Sequence, residues 1–322
     1  MLSLLLLACT KAPIPTVSVR TTDLGHDLRA ELISDGTVEA RLAEPDDAEI
    51  VIYYMGEQKG SLAPCGCPDR PRGGLPRAAS YIEKASPGII LNAGYWTDDG
   101  QGIDGNPRAD ATLKNQWMMR GLEALPVNAV HVSFNDLFGL ATIPEDAPNL
   151  PLVSANISGP GIEPFVIIHQ NGHRIGVTGI SHPGHPSVAT PGFVRSQPTT
   201  SAAPIIETLH ASTDAVILFA HGATEAAKKL VRSGHVDVVI DTNEHRSFEP
   251  PFRVGNAVWV RSYVQGMQLG ELRLGEVKDG MRWAFDRKID LDDGLPNHHA
   301  LNILNEEAKA EIEVLENALF NR

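Results

Sequence analysis

Apolar runs of strand length alternate with amphipathic stretches along most of this chain. The run at residues 50–54 is bounded by polar positions and reads as a buried strand. A Gly/Pro-rich loop to about residue 74 and a short helix over 75–84 follow it. Further strands are expected at 89–91, 129–134, 152–157, 215–220 and 236–240, with helices over 109–125, 202–210 and 224–232. Residues 165–169 and 174–180 predict a hairpin, because Asn171 and Gly172 between them suit the positive φ angles of a primed turn. From 252 to 291 the pattern changes to consecutive strands and turns. A terminal helix over 299–320 places Leu301, Leu304, Ala308, Ile312, Leu315 and Leu319 on one face. Mixing βα units with antiparallel strands predicts an α/β fold: two packed mixed β-sheets flanked by helices, in a single domain. The loops after the strands ending near residues 54, 94, 134, 220 and 241 then gather at one sheet edge, where ligands bind in parallel sheets.

The amino terminus reads differently. Residues 1–8 are apolar and end at Cys9, well short of the roughly 20 residues that span a bilayer. Leu6, Leu7, Ala8 and Cys9 resemble a bacterial lipobox, which implies a signal remnant over 1–8 and a lipid on Cys9. Residues 9–47 hold few long apolar runs and read as a tether with one arm around 31–42, leaving 48–322 as the folded domain. The expected location is the bacterial cell envelope, as a periplasmic or outer-membrane lipoprotein held to the membrane at Cys9.

Composition narrows the function. Among 322 residues, 40 acidic and 27 basic side chains give a formal charge of −13, which argues against a nucleic-acid partner. Three cysteines, Cys9, Cys65 and Cys67, exclude a disulfide scaffold. No Gly-x-Ser-x-Gly elbow occurs, so a serine triad of that type finds no support.

The five loops hold Glu57 and Lys59, Tyr95, Asn135 and Asp136, His221, and Asn243 and His245. With Gly73, Gly74, Leu75, Pro76 and Arg77 at a helix start, and 152–157 and 174–180 as supporting segments, this order over about residues 48–290 resembles the metallophosphoesterase superfamily, specifically 5′-nucleotidase-like catalytic domains. The resemblance implies a four-layer sandwich and hydrolysis of a small phosphorylated or anionic substrate at two divalent ions. It places Glu57, Asn135, His221 and His245 as metal ligands and Asp136 as acid or base. Lys59, Tyr95 and Asn243 stand where the family has a histidine, the bridging aspartate and a second histidine. Lysine is a cation at neutral pH and a phenol is protonated there, so the ordinary two-metal centre is incomplete.

Pro64, Cys65, Gly66, Cys67 and Pro68 supply other chemistry, and resemble a Pro-Cys-Gly-Cys branch of the family among bacterial secreted proteins. A Cys-x-Cys pair is too close for an unstrained disulfide, and thiolates are soft ligands. Cys65, Cys67, His221 and His245 would together suit Zn or Cu, whereas the oxygen-rich set suits Mn. Two functions stay open: a phosphoesterase with a rebuilt metal site, and a non-catalytic binding lipoprotein using the Cys-Gly-Cys loop for a soft metal or a protein partner. The remaining polar positions read plainly. His182 and His185 form a solvated turn, His131 and His235 pack, and Asp98, Asp99 and Asp104 make an exposed acidic loop.

Overall fold

The computed structural model describes residues 17–23, 26–33, 47–65, 71–100, 108–143, 149–242, 250–277, 281 and 283–320. Cys9, Cys67, Asp104, Asn243 and His245 lie outside them. Seventeen strands are described: β1 Val17–Asp23, β2 His26–Ile33, β3 Ile50–Met55, β4 Ile89–Asn92, β5 Ala129–His131, β6 Leu152–Val153, β7 Ile157–Ser158, β8 Ile162–Glu163, β9 Val166–Gln170, β10 His173–Ser181, β11 Val194–Arg195, β12 Ala215–His221, β13 Val238–Asp241, β14 Phe252–Val254, β15 Ala257–Arg261, β16 Gln268–Gly275 and β17 Trp283–Asp290. The helices are α1 Leu75–Lys84, α2 Ala109–Ala124, α3 Asp136–Leu140, α4 Pro198–Ser212, α5 Thr224–Val231 and α6 His299–Phe320.

Side-chain alternation explains the layers. In β3, Ile50, Ile52 and Tyr54 face the second sheet, while Val51, Tyr53 and Met55 face helices α1, α2 and α6. In β12, Ala215, Ile217 and Phe219 face inward, and Leu218 and Ala220 turn to α4 and α5. Strands apolar on both faces must be covered on both, so the result is helix, sheet, sheet, helix. One sheet has nine strands in the order β1-β2-β17-β16-β3-β4-β5-β6-β8, and the other six, β14-β15-β13-β12-β10-β9. Strands β3, β4, β5 and β6 run parallel, as do β10, β12, β13 and β15. The architecture is the expected pair of mixed sheets flanked by helices.

Several local features differ from the pattern-based reading. Within the stretch expected as a tether, β1 and β2 pair antiparallel, and β2 pairs in parallel with β17. Leu28 and Ala30 are buried there, and Glu31 meets Arg287 at 3.4 Å. The strand expected at 152–157 divides because Ala155 leaves the first sheet and donates its N–H to Gly179 O of the second, at 2.7 Å. The hairpin turn matches its sequence, with φ of 50° at Asn171 and 82° at Gly172. Leu301 and Ala308 of α6 are buried, and Leu304 and Ile312 pack on the same core.

His131 joins the sheets. Its Nδ1 lies 3.1 Å from Val153 O on β6 and its Nε2 3.1 Å from Ile180 O on β10, while the ring stacks on Phe219. A Cβ on Gly179 would run into this ring, which is why glycine stands there. Burial outweighs both carbonyl contacts and pushes the imidazole pKa from 6.5 to about 4. The native state therefore keeps His131 neutral where the unfolded chain takes up a proton. Its stabilising contribution is complete above pH 6.5 and declines as pH falls toward 4. A His131→Gln variant should melt lower than wild type at pH 7.5 and show a flatter fall in Tm between pH 6.5 and 4. An unchanged slope in thermal melts would refute the assignment.

Candidate functional site

Three loops are laced together by main-chain bonds. After β3, Glu57 N–H donates to Gly94 O at 2.9 Å, Lys59 N–H to Tyr95 O at 3.2 Å and Gly60 N–H to Trp96 O at 2.8 Å. Holding this ladder puts Glu57, Lys59 and Tyr95 at φ of 57°, 53° and 53°, each costing about 1 kcal/mol or more for a side chain with a Cβ. The loop after β5 joins through Asp136. Its carboxylate accepts N–H bonds from Tyr95 (2.9 Å), Thr97 (3.0 Å) and Ser133 (2.9 Å), and O–H bonds from Thr97 (3.1 Å) and Ser133 (2.6 Å).

Those bonds bring most of the described candidates to one place. Lys59 Nζ lies 3.9 Å from Glu57 Oε2 and 4.8 Å from the centre of the Tyr95 ring. The same ring meets His221, at the end of β12, edge-on at 5.7 Å. The Tyr95 phenol donates to Asp99 Oδ2 at 3.3 Å, with the Asn135 side chain close enough to lower its pKa slightly. The next strand end also reaches this edge, since Thr242 Oγ1 donates to Ala93 O at 3.2 Å. Glu57, Asn135 and His221 are thus gathered around Tyr95 and Lys59.

Electrostatics restrict what this cluster does. Burial, then the Asp99 carboxylate, pushes the Tyr95 phenol up to about 12, so it is a neutral donor to Asp99 at physiological pH. Burial first, with the Lys59 ammonium adding to it, lowers His221 to about 3, leaving a neutral imidazole. Asp136 is fully buried, and desolvation raises its pKa against the pull of its hydrogen bonds. With five donors on two oxygens and no exposure, the carboxylate expected to act as acid or base instead ties Tyr95, Thr97 and Ser133 together.

Cys65 is separate from these contacts. It is half-buried, its N–H donates to Arg72 O at 2.7 Å, and its Sγ accepts the Arg72 N–H at 3.2 Å. Among the described residues, no group of three or more His, Cys, Asp or Glu side chains is placed to hold a metal ion. The acidic loop also departs from expectation. Asp98 is buried and paired with Arg108 at 2.8 Å, and Asp99 serves Tyr95. His182 and His185 do form local turns, accepting the N–H groups of Gly184 and Ser187 at 2.9 and 3.2 Å. Sequence reading missed Thr97 and Ser133, whose hydroxyls complete the Asp136 tie. It also missed a cavity of about 470 Å³ beside the cluster, walled by Lys59, Leu62, Lys114 and Trp117 and by Asn305, Ala308 and Ile312 of α6. No described helix is long and apolar enough to cross a membrane.

No protein-family description matches this chain, and no curated protein sequence does. Solved structures resemble it in fold. The 5′-nucleotidase precursor from Thermus thermophilus has 17% identity and a TM-score of 0.66, over 83% of this chain and 59% of that one. The sulfate thiohydrolase SoxB of the Thermus structure in complex with glycerol has 15% identity and a TM-score of 0.67, over 83% and 61%. The calcineurin-like phosphoesterase YfkN from Bacillus subtilis has 18% identity and a TM-score of 0.62, over 82% and 97%. The chain thus spans about three fifths of the first two proteins and nearly all of the matched YfkN chain. Its mixed sheets flanked by helices have the calcineurin-like metallophosphoesterase fold.

The Asp136 tie is open to direct measurement. Asp136→Ala leaves buried donors unanswered and should cost roughly 3–5 kcal/mol in urea unfolding, with Asp136→Asn costing less. A loss below about 1 kcal/mol in the alanine variant would show that the loops are held some other way.

Proposed function

We propose that this chain is a binding protein built on the metallophosphoesterase fold, in which the hydrolytic two-metal centre has been dismantled. The observation that carries this reading is the Tyr95 ring, lying against His221 with a neutral phenol committed to Asp99 where the resemblance calls for a bridging carboxylate. A dinuclear centre needs a shared anionic oxygen between its ions, and a protonated phenol does not provide one. Lys59 adds a positive charge beside Glu57, which weakens that carboxylate as a ligand for a dication. The donor set around Tyr95 therefore does not suit the family's two hard metals.

Binding has a place to occur. The cavity of about 470 Å³ falls within the range of small-ligand sites and combines the apolar surfaces of Leu62, Trp117 and Ile312 with Lys59 at one end and the carboxylates of Asp98, Glu313 and Glu316 elsewhere in its wall. Its occupant in this reading is a small anionic molecule, phosphorylated or not, approaching the Lys59 end. The Cys-Gly-Cys turn, of which Cys65 is described, supplies a second and softer chemistry for Zn or Cu or for a protein partner. A lipid on Cys9 holds the protein at the bacterial envelope, a location supported by the run from Leu6 to Cys9.

Phosphoester hydrolysis at a rebuilt centre is the second reading, favoured by one observation: Glu57, Asn135 and His221 still converge on a single locus. Elemental analysis of protein purified without chelator, paired with turnover of an aryl phosphate in the presence of Mn(II), separates the two. The binding reading expects no Mn(II)-dependent hydrolysis above buffer, and any Zn or Cu to be lost in a Cys65→Ser/Cys67→Ser variant. Two hard ions per chain together with turnover would overturn it in favour of hydrolysis.

A further inference from the structure

Resting on the non-hydrolytic reading of the site, we propose that the Lys59 ammonium is the cation of this loop cluster, a tethered charge standing in for the divalent ion. A lysine ammonium and a metal ion seek similar neighbours: carboxylate oxygens, uncharged ring faces and no second cation. The described surroundings of Nζ supply the first two of these. Glu57 Oε2 lies 3.9 Å away, the face of Tyr95 4.8 Å away, and the Tyr95 ring in turn meets the His221 imidazole edge-on at 5.7 Å.

The two cations exclude one another. A metal bonded to Glu57 Oε2 at about 2.1 Å sits within roughly 6 Å of Nζ, inside the Debye length of about 8 Å at physiological salt and in surroundings that screen less than water. The Lys59 main chain is fixed, with its N–H on Tyr95 O at 3.2 Å and its φ at 53°, so its Cβ starts from a set position. The side chain leaves the loop in a direction set by the ladder, toward the carboxylate two residues earlier. Removing the ammonium should therefore let a divalent ion bind at the Glu57 carboxylate.

Mn(II) is the appropriate probe because it prefers carboxylate, amide and imidazole donors over thiolates, which keeps the Cys65 region out of the measurement. Equilibrium dialysis and EPR of the full chain compare wild type, Lys59→Arg, Lys59→Ala and Lys59→Ala/Glu57→Gln. Wild type and Lys59→Arg should take up no Mn(II) that depends on Glu57. Lys59→Ala should gain one ion per chain, and the double variant should lose it. Wild-type uptake abolished by Glu57→Gln alone, or no gain in folded Lys59→Ala, overturns the assignment. If the alanine variant does not fold, the wild-type Tm decides. A Tm unchanged between Mn(II) and chelator supports the tethered cation, and a Mn(II)-dependent rise that Glu57→Gln removes overturns it. Wild-type Mn(II) uptake at Glu57 without phosphoester turnover would defeat this inference and leave the binding reading standing, whereas turnover would defeat that reading itself.

Discussion

The carboxylate of Asp136 is fully buried and answers five donors, three from the Tyr95–Thr97 stretch and two from Ser133 in its own turn. A buried anion with fewer partners would be costly, and the same donors without it would each carry a desolvation penalty. The cost of either failure locks the loop after β4 to the turn after β5. The loop after β3 is then laced onto the first of these through Gly94, Tyr95 and Trp96 carbonyls. The positions of Glu57, Lys59 and Tyr95 follow from that tie, and so does the contact between Tyr95 and His221, which arrives from the other sheet.

Beneath the loops, the sheets are held by more than apolar burial. On the helix side of the larger sheet, Glu271 is bonded by Tyr81 and Arg273 and lies 3.6 Å from Arg287, which in turn reaches Glu31 of β2. Between the sheets, Tyr54 donates to Asp286 at 2.7 Å, and Lys288 donates to Arg261 O at 2.7 Å. Burial pushes the Asp286 carboxyl up and the Lys288 amine down, so desolvation disfavours charge on both sides of that contact. These networks specify which strands neighbour one another, since an apolar interface alone tolerates sliding and re-pairing.

The layered architecture was legible because it rests on period and chain order. Strands β3, β4, β12 and β13 carry continuous apolar runs, and α6 carries a stripe at helical spacing. The convergence of Glu57, Asn135 and His221 was legible for the same reason, as residues at the ends of parallel strands. The role of Asp136 was not, because the bonds that carry it across to the loop after β4 come partly from main-chain N–H groups about 40 positions earlier, and a main-chain N–H leaves no mark in the sequence. The pairing of β2 with β17 was hidden as well. Leu28 and Ala30 are too few to form a recognisable alternation, and Glu31 reads as a surface residue until Arg287 is placed beside it.

The left-handed backbone at Glu57, Lys59 and Tyr95 has a consequence for how such a site changes over time. Residues with a Cβ bear a steric cost at those angles, and the main-chain ladder to Gly94, Tyr95 and Trp96 holds the path of the loop whichever side chain it carries. What the loops present and how they are held are therefore written in separate parts of the molecule. A new side chain at one of these positions is presented where the old one stood, so the loops can exchange chemistry one position at a time on a kept frame.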